Sequence, residues 1–218
     1  MASVDSTWVL NVSGLFSSLG SSPVRAAVLA GSLTALVAVQ RWRAAGYVLF
    51  VVTVVHLLNR VTKALVGRQR LPDPERAYAL AGSVRLLIVM AVLAGAGWVI
   101  GRRRTKAAFL LAPIYLGVVL LQHAVTAVPV TIGADSFPSG HASNTMALLA
   151  ALTVVRPTGR RWSVLALLGL GFVVLVGVSR VTLGFHYPID VLAGWFLAIS
   201  VTLLARPLFR PHAQPDPR

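Results

Sequence analysis

Three short segments hold nearly all the residues able to do chemistry. The first is KALVGRQRLP, Lys63 to Pro72; the second is FPSGH, Phe137 to His141; the third runs from Ser179 and Arg180 through His186 to Asp190. Pro138, Ser139 and Gly140 can open a helix whose body is the apolar run after His141. Such a start presents free backbone N–H groups and the positive end of the helix dipole, a natural seat for an anion. Ser139 adds a hydroxyl donor, and His141 adds a group that exchanges a proton near neutral pH. Arg70 and Arg180 can fork onto phosphate oxygens, and Lys63 supplies a point charge. Asp190 follows His186 by four residues, and Pro188 suits the first turn of a helix that would bring the carboxylate near the imidazole. An Asp bonded to one imidazole nitrogen fixes the tautomer and leaves the other nitrogen for attack. Together these residues make a phosphate cradle with a nucleophile and an acid, provided the chain returns them to one place.

The elements that must do so are apolar helices. The chain has 218 residues, 56% of them hydrophobic and only 12% charged, roughly half the charge of a soluble domain. Apolar runs at Val24–Gln40, Ala44–Val61, Val84–Ile100, Ala107–Val128, His141–Val155, Trp162–Val178 and Ile189–Leu208 reach or approach the ~20 residues that cross a bilayer as a helix. The expected fold is an all-α polytopic transmembrane bundle of six or seven spans, with Pro113 able to kink the fourth. Residues 1–23 do not read as a signal peptide, because Asn11, Ser13 and Gly14 break their apolar content. They are expected at the surface, residues 24–208 as one transmembrane domain, and residues 209–218 as a disordered cytoplasmic tail.

Charge placement sets the sidedness. The formal charge of +14 would suit a nucleic-acid binder, but the basic residues fall in short clusters between spans rather than on one amphipathic face. Nucleic acid is therefore not an expected partner. The clusters at 41–43, 102–106, 156–161 and 206–218 are expected in the cytoplasm. That leaves the loops 62–83, 129–141 and 179–190 on the outer face, and with Asp5 of the N-terminal segment that face holds five of the six acidic residues. All three chemical segments lie there. The absence of cysteine excludes disulfides, thiolate chemistry and Cys-based metal sites. His56, Asn59, Gln122 and His123 lie in or near spans and are expected to hydrogen-bond between helices. Gly169, Gly171 and Gly177 are expected to serve close helix packing, and Trp42, Trp98, Trp162 and Trp195 to anchor at the interfaces.

The three segments resemble the signature motifs of the type 2 phosphatidic acid phosphatase superfamily, which also includes vanadium haloperoxidases and class A bacterial acid phosphatases. The third motif is matched at Ser179, Arg180, His186 and Asp190, and the second from Pro138 to His141, a likeness covering roughly residues 44–208. The resemblance implies that His186 is the nucleophile, passing through a phosphohistidine, that Asp190 orients it, and that His141 protonates the leaving oxygen. It implies that Lys63, Arg70, Arg180, Ser139 and the Gly140 N–H bind the transferring phosphoryl group. No cofactor or metal is expected, because fixed cations can supply positioning and charge stabilisation.

The first motif departs from the pattern. Leu71 stands between Arg70 and Pro72 where the family has Arg-Pro, and two spans intervene before Ser139. A rival placement puts the first motif at Gln122–Pro129. The implied substrate is a membrane lipid phosphate or diphosphate: a polyprenyl phosphate, phosphatidic acid or phosphatidylglycerol phosphate. A phosphotransferase and a non-catalytic lipid-phosphate binder are the alternatives. The expected location is a bacterial plasma membrane, with the site facing outside.

Overall fold

The computed structural model describes residues 3–68, 88–94, 96, 110–127, 136–157 and 159–209. Among them the regular structure is helical, with no strand. The helices are α1 (Ser3–Leu19), α2 (Ser22–Ala38), α3 (Trp42–Val66), α4 (Leu111–Ala127), α5 (Gly140–Val155), α6 (Arg160–Thr182) and α7 (Pro188–Ala205), the last continued by a 3-10 turn, Arg206–Phe209. Residues 88–94 are also helical. Three helices, α3, α6 and α7 with its terminal turn, are long and apolar enough to cross a membrane. α1 and α2 meet at a 46° bend and pass the same test as a pair. The fold is thus an all-α polytopic bundle. Most of the expected span Val84–Ile100, the basic cluster at 102–106 and the tail from 210 lie outside the described residues.

Local chemistry sets the boundaries. α3 ends because Gly67 takes the left-handed conformation, φ 59°, and returns its N–H to the Lys63 carbonyl. Glycine adopts that conformation without a Cβ penalty. α7 begins at Pro188, whose missing N–H costs nothing in a first turn. Pro113 occupies the third position of α4, where the first turn tolerates proline.

α5 is the hub, packed against α3, α6 and α7. Every residue from Ala142 to Leu148 is buried, as expected of a helix surrounded on all sides. The core joins Tyr47, Val48, Val51 and Val55 of α3 to Ala147 and Ala151 of α5, Val173 of α6 and Ala198 of α7. The Tyr47 hydroxyl donates to the Thr202 carbonyl at 2.6 Å, tying α3 to α7. The outer faces are apolar and open: Leu167, Leu168, Phe196 and Leu204 are 65–77% exposed. Lipid, not water, suits such a surface. α4 packs chiefly on α2, and residues 88–94 pack on Val24 and Ala27 of α2. The described parts of the chain inserted between the first and second chemical segments therefore sit at the margin of the hub.

Several expectations change in the tertiary structure. The segment 1–23 supplies α1, which packs on α6 and buries Ser13, Ser17 and Ser18. Phe209, grouped with the tail in sequence, packs on Tyr47 and Phe50. The Trp195 ring is partly buried and packs against Gly177, whose missing Cβ opens a slot for it. Gly169 and Gly177 do serve close packing: a Cβ on either would come within 2.5 Å of Leu149 or Trp195. Gly171 does not, having nothing within 4 Å.

The tightest approach is at Gly194. A Cβ there would lie 2.9 Å from the Ser139 carbonyl oxygen and 3.1 Å from the Ser143 nitrogen, both backbone atoms. Gly194→Ala is expected to cost about 1–3 kcal/mol, since backbone cannot swing aside as a side chain can. Gly171→Ala is expected to be neutral or slightly stabilising. Melting temperatures of the two variants in detergent check the contrast.

Candidate active site

The ends of α3 and α6 and the starts of α5 and α7 meet at one end of the bundle. From α3, Asn59 and Lys63 point inward one turn apart, 3% and 9% exposed. Asn59 Nδ2 donates to Ser143 Oγ at 3.0 Å and to the Pro138 carbonyl at 3.4 Å. Lys63 Nζ donates to the Ser136 carbonyl at 3.4 Å, and the Ser136 N–H donates to the Arg68 carbonyl at 2.6 Å. These bonds hold residues 136–139 against the end of α3. Ser139 then caps α5, its Oγ accepting from the Ala142 N–H at 3.5 Å, and Asn144 Nδ2 donates to the Gly140 carbonyl at 2.8 Å.

The third segment is a turn organised by Arg180. Its carbonyl accepts from the N–H groups of both Phe185 and His186, each at 3.1 Å, so the arginine backbone places the histidine. Its guanidinium stacks 4.0 Å from the Phe185 ring centroid and donates to Ser17 Oγ of α1 at 2.5 Å. Asp190 is fully buried in the first turn of α7. Its Oδ1 accepts from Arg68 Nη1 at 3.1 Å. Its Oδ2 accepts from the Tyr187 N–H at 3.0 Å and faces His186 Nδ1 at 3.5 Å. The Arg68 guanidinium also lies 4.3 Å over the Tyr187 ring. A buried carboxylate needs such company, since a lone charge away from water is costly. The Ser139 N–H donates to the Asp190 carbonyl at 2.9 Å, joining the second segment to the third through backbone alone.

The structure therefore brings Lys63, Ser139, Gly140, His141, Arg180, His186 and Asp190 to one end of the bundle. Arg70 lies outside the described residues. So do the side chains of the rival stretch from Gln122, whose backbone is helical as far as Ala127. Two residues at the site, Arg68 and Ser17, were missed in sequence. Arg68 had a readable signal, because Gly67 ends α3 and puts Arg68 in the turn that follows it. Asn59 makes the hydrogen bonds between helices that were expected of it, and it sits one helical turn before Lys63 on the same face. Ser17 carried no signal, being 163 positions from its partner. His56 stands beside Asn144, so it and Asn59 both meet α5.

Comparison with known proteins adds to this geometry. The family model of the PAP2 superfamily matches residues 26–212. An undecaprenyl-diphosphatase of Sulfolobus acidocaldarius is 39% identical over 70 residues, 32% of each chain. A lipid A 1-phosphatase of Rhizobium johnstonii is 34% identical over 77 residues, 33% of this chain and 29% of the relative. A lipid A 1-phosphatase of Rhizobium etli is likewise 34% identical over 77 residues, 33% of this chain and 31% of the relative. The chain thus matches about a third of the length of these curated relatives. No solved structure matches it.

Asn59 is the polar clasp between α3 and α5. Asn59→Ala is expected to cost about 1–3 kcal/mol, because the buried Pro138 carbonyl loses its partner. Denaturation in detergent, with the fraction folded followed by tryptophan fluorescence, measures it.

Proposed function

Because the chain belongs to the PAP2 superfamily, we propose that it is a metal-independent membrane lipid-phosphate phosphatase working through a phosphohistidine. The observation that carries the proposal is the junction of His186, Asp190 and the α5 start: a buried carboxylate 3.5 Å from the imidazole, bonded through its own backbone to Ser139. A nucleophile and an anion-binding helix start are thereby held together.

The chemistry runs in two steps. His186 is neutral, with Nδ1 toward Asp190, so Nε2 attacks phosphorus. The bond from phosphorus to the leaving oxygen breaks, and that oxygen takes a proton from His141. Water then attacks the phosphohistidine, His141 accepts its proton, and phosphate leaves. Lys63, Arg70, Arg180, Ser139 and the Gly140 N–H neutralise the equatorial oxygens in both steps. Asp190 keeps the imidazole in the attacking tautomer, and Arg68 holds Asp190.

The substrate class is a lipid carrying a phosphomonoester or diphosphate: a polyprenyl phosphate or diphosphate, phosphatidic acid or phosphatidylglycerol phosphate. The names of the relatives, an undecaprenyl-diphosphatase and two lipid A 1-phosphatases, support lipid phosphates. A site at the end of an apolar bundle suits a headgroup whose tail stays in the bilayer. The working location is the bacterial plasma membrane with the site outside and residues 24–208 as the catalytic domain. Arg41, Arg43, Arg156 and Arg206 at the other end support that orientation.

Purified protein in detergent is expected to release phosphate from lipid phosphates in the presence of EDTA and to be inhibited by vanadate. His186→Ala is expected to lose at least about a thousandfold in rate; retained activity would sink the assigned nucleophile. Lys63→Ala and Arg70→Ala are each expected to cost about tenfold to a thousandfold in kcat/KM. Wild-type rates there, with loss of activity on substitutions at Gln122–Pro129, would move the first motif to the rival stretch.

A further inference from the structure

α1 lies before residues 26–212, where the family match falls, yet it reaches the active end. Its sides are inverted relative to a helix on a soluble surface. Ser13, Gly14, Ser17 and Ser18 are buried, while Trp8, Val9 and Leu15 are exposed. Beside lipid the arrangement is consistent, with large apolar side chains toward hydrocarbon and small polar ones toward the bundle. Ser13 and Ser17 are four apart and share one helical face. α1 is seated on α6 through residues flanking Ser17. The rings of Phe16 and Phe172 lie 6.3 Å apart. A Cβ at Gly20 would lie 2.7 Å from Val176 Cγ1 and 3.5 Å from His141 Cδ2. The end of α1 therefore stands against both the arginine helix and the imidazole of the second segment.

Ser17 makes the polar contact that matters to the site. Its Oγ accepts from Arg180 Nη1 at 2.5 Å, and the two residues are 7% and 6% exposed. A guanidinium is a planar fork, so aiming it at an oxyanion takes two restraints. One sets the tilt of the plane, and the other sets which edge faces the ligand. The Phe185 ring, whose centroid is 4.0 Å from Arg180 Cζ, supplies the first. Ser17 supplies the second by engaging Nη1 from the α1 side. That bond uses one of the five N–H donors of the group. Serine is also neutral, so it orients the cation without cancelling its charge, as a carboxylate there would.

We propose that α1 is an element of the active site and that Ser17 is a positioning residue, holding the Arg180 guanidinium in the orientation that receives a phosphoryl oxyanion. The inference rests on the phosphate-binding role given to Arg180 above. Ser17 does not itself touch the substrate. An unrestrained arginine gives up rotamer freedom each time an anion binds, and a bond formed in advance spares that loss. The effect is carried by the Ser17 hydroxyl, not by the bulk of α1.

The test follows oxyanion binding as well as turnover. The rise in melting temperature with vanadate, measured in detergent, gives an affinity without any hydrolysis. Turnover is measured on short-chain phosphatidic acid and on a short polyprenyl diphosphate. Ser17→Ala is expected to weaken vanadate binding and to lower kcat/KM by about tenfold each, the worth of one hydrogen bond to a charged group. Its melting temperature without vanadate is expected to stay near that of wild type, because alanine suits a helix at least as well as serine. Ser17→Thr keeps the hydroxyl and is expected to recover both losses. Ser13→Ala removes a buried hydroxyl one turn away on the same face and is expected to change neither. Equal losses in the two alanine variants overturn the inference, since α1 then acts by packing alone. Wild-type values in Ser17→Ala overturn it too, as does a folded Ser17→Thr that recovers neither loss. If Ser17→Thr does not fold, the contrast between the two alanine variants decides. Phosphate release from neither lipid by wild type would sink the hydrolytic reading, while a loss of vanadate affinity confined to Ser17→Ala would still uphold the inference.

Discussion

A fully buried carboxylate governs one end of this molecule. Asp190 has no access to water, so its charge must be met by protein. Arg68 takes one oxygen, and the Tyr187 N–H takes the other while His186 stands beside it. Each of these belongs to a different stretch of chain or fixes a turn, so satisfying one charge orders the end of α3, the α6–α7 turn and the start of α7 together. The Asp190 carbonyl then accepts from Ser139 and extends that order to α5. Removing water from around a charge is costly, and a folded arrangement that compensates it is correspondingly specific.

The rest of the bundle makes this meeting possible by bringing backbones close. α5 carries small or slender side chains at Ala142, Ser143, Ala147 and Ala151, all buried, and α7 offers Gly194 against Ser139 and Ser143. In lipid, helices gain little from sequestering apolar surface, because the tails are equally apolar. Close packing and hydrogen bonds between helices carry the association instead. Asn59 and Tyr47 supply two such bonds at opposite ends of α3. Large apolar side chains are left to the outside, where Leu167, Leu168, Phe196 and Leu204 face the hydrocarbon.

The two ends of the bundle differ in kind. One gathers Lys63, Arg68, Arg180 and His186 around Asp190. The other gathers Arg41, Arg43 and Arg206 around a cavity of about 480 Å³ with Tyr47 and Phe209. Both are cationic, but among the described residues only the first combines cations with a carboxylate, a helix start and two histidines. The membership in the PAP2 superfamily and the geometry of that end point the same way by independent routes. Arg68 and Ser17 extend the constellation beyond its sequence motifs by bracing Asp190 and Arg180.

Short-range order was legible in the amino acids alone. A period of four between His186 and Asp190, with Pro188 opening the helix between them, is a local constraint, and backbone geometry enforces it in almost any context. Apolar run length likewise marked stretches that form helices, because a bilayer leaves backbone polar groups no other partner, though of the seven runs the described residues give three helices, or four with the bent pair, long enough to span. Pairings across the chain were decided by the tertiary structure. Nothing near Ser17 announces Arg180, nothing near Arg68 announces Asp190, and nothing near Trp195 announces that Gly177 lies opposite its ring. The burial of α1 belongs to the same class. Its serines look like surface residues until α6 and Arg180 come to meet them. The physical reason is common to all these cases: a local spacing is a property of one helix, whereas a buried charge or a close approach is shared by two, and the second is not known until the chain has folded.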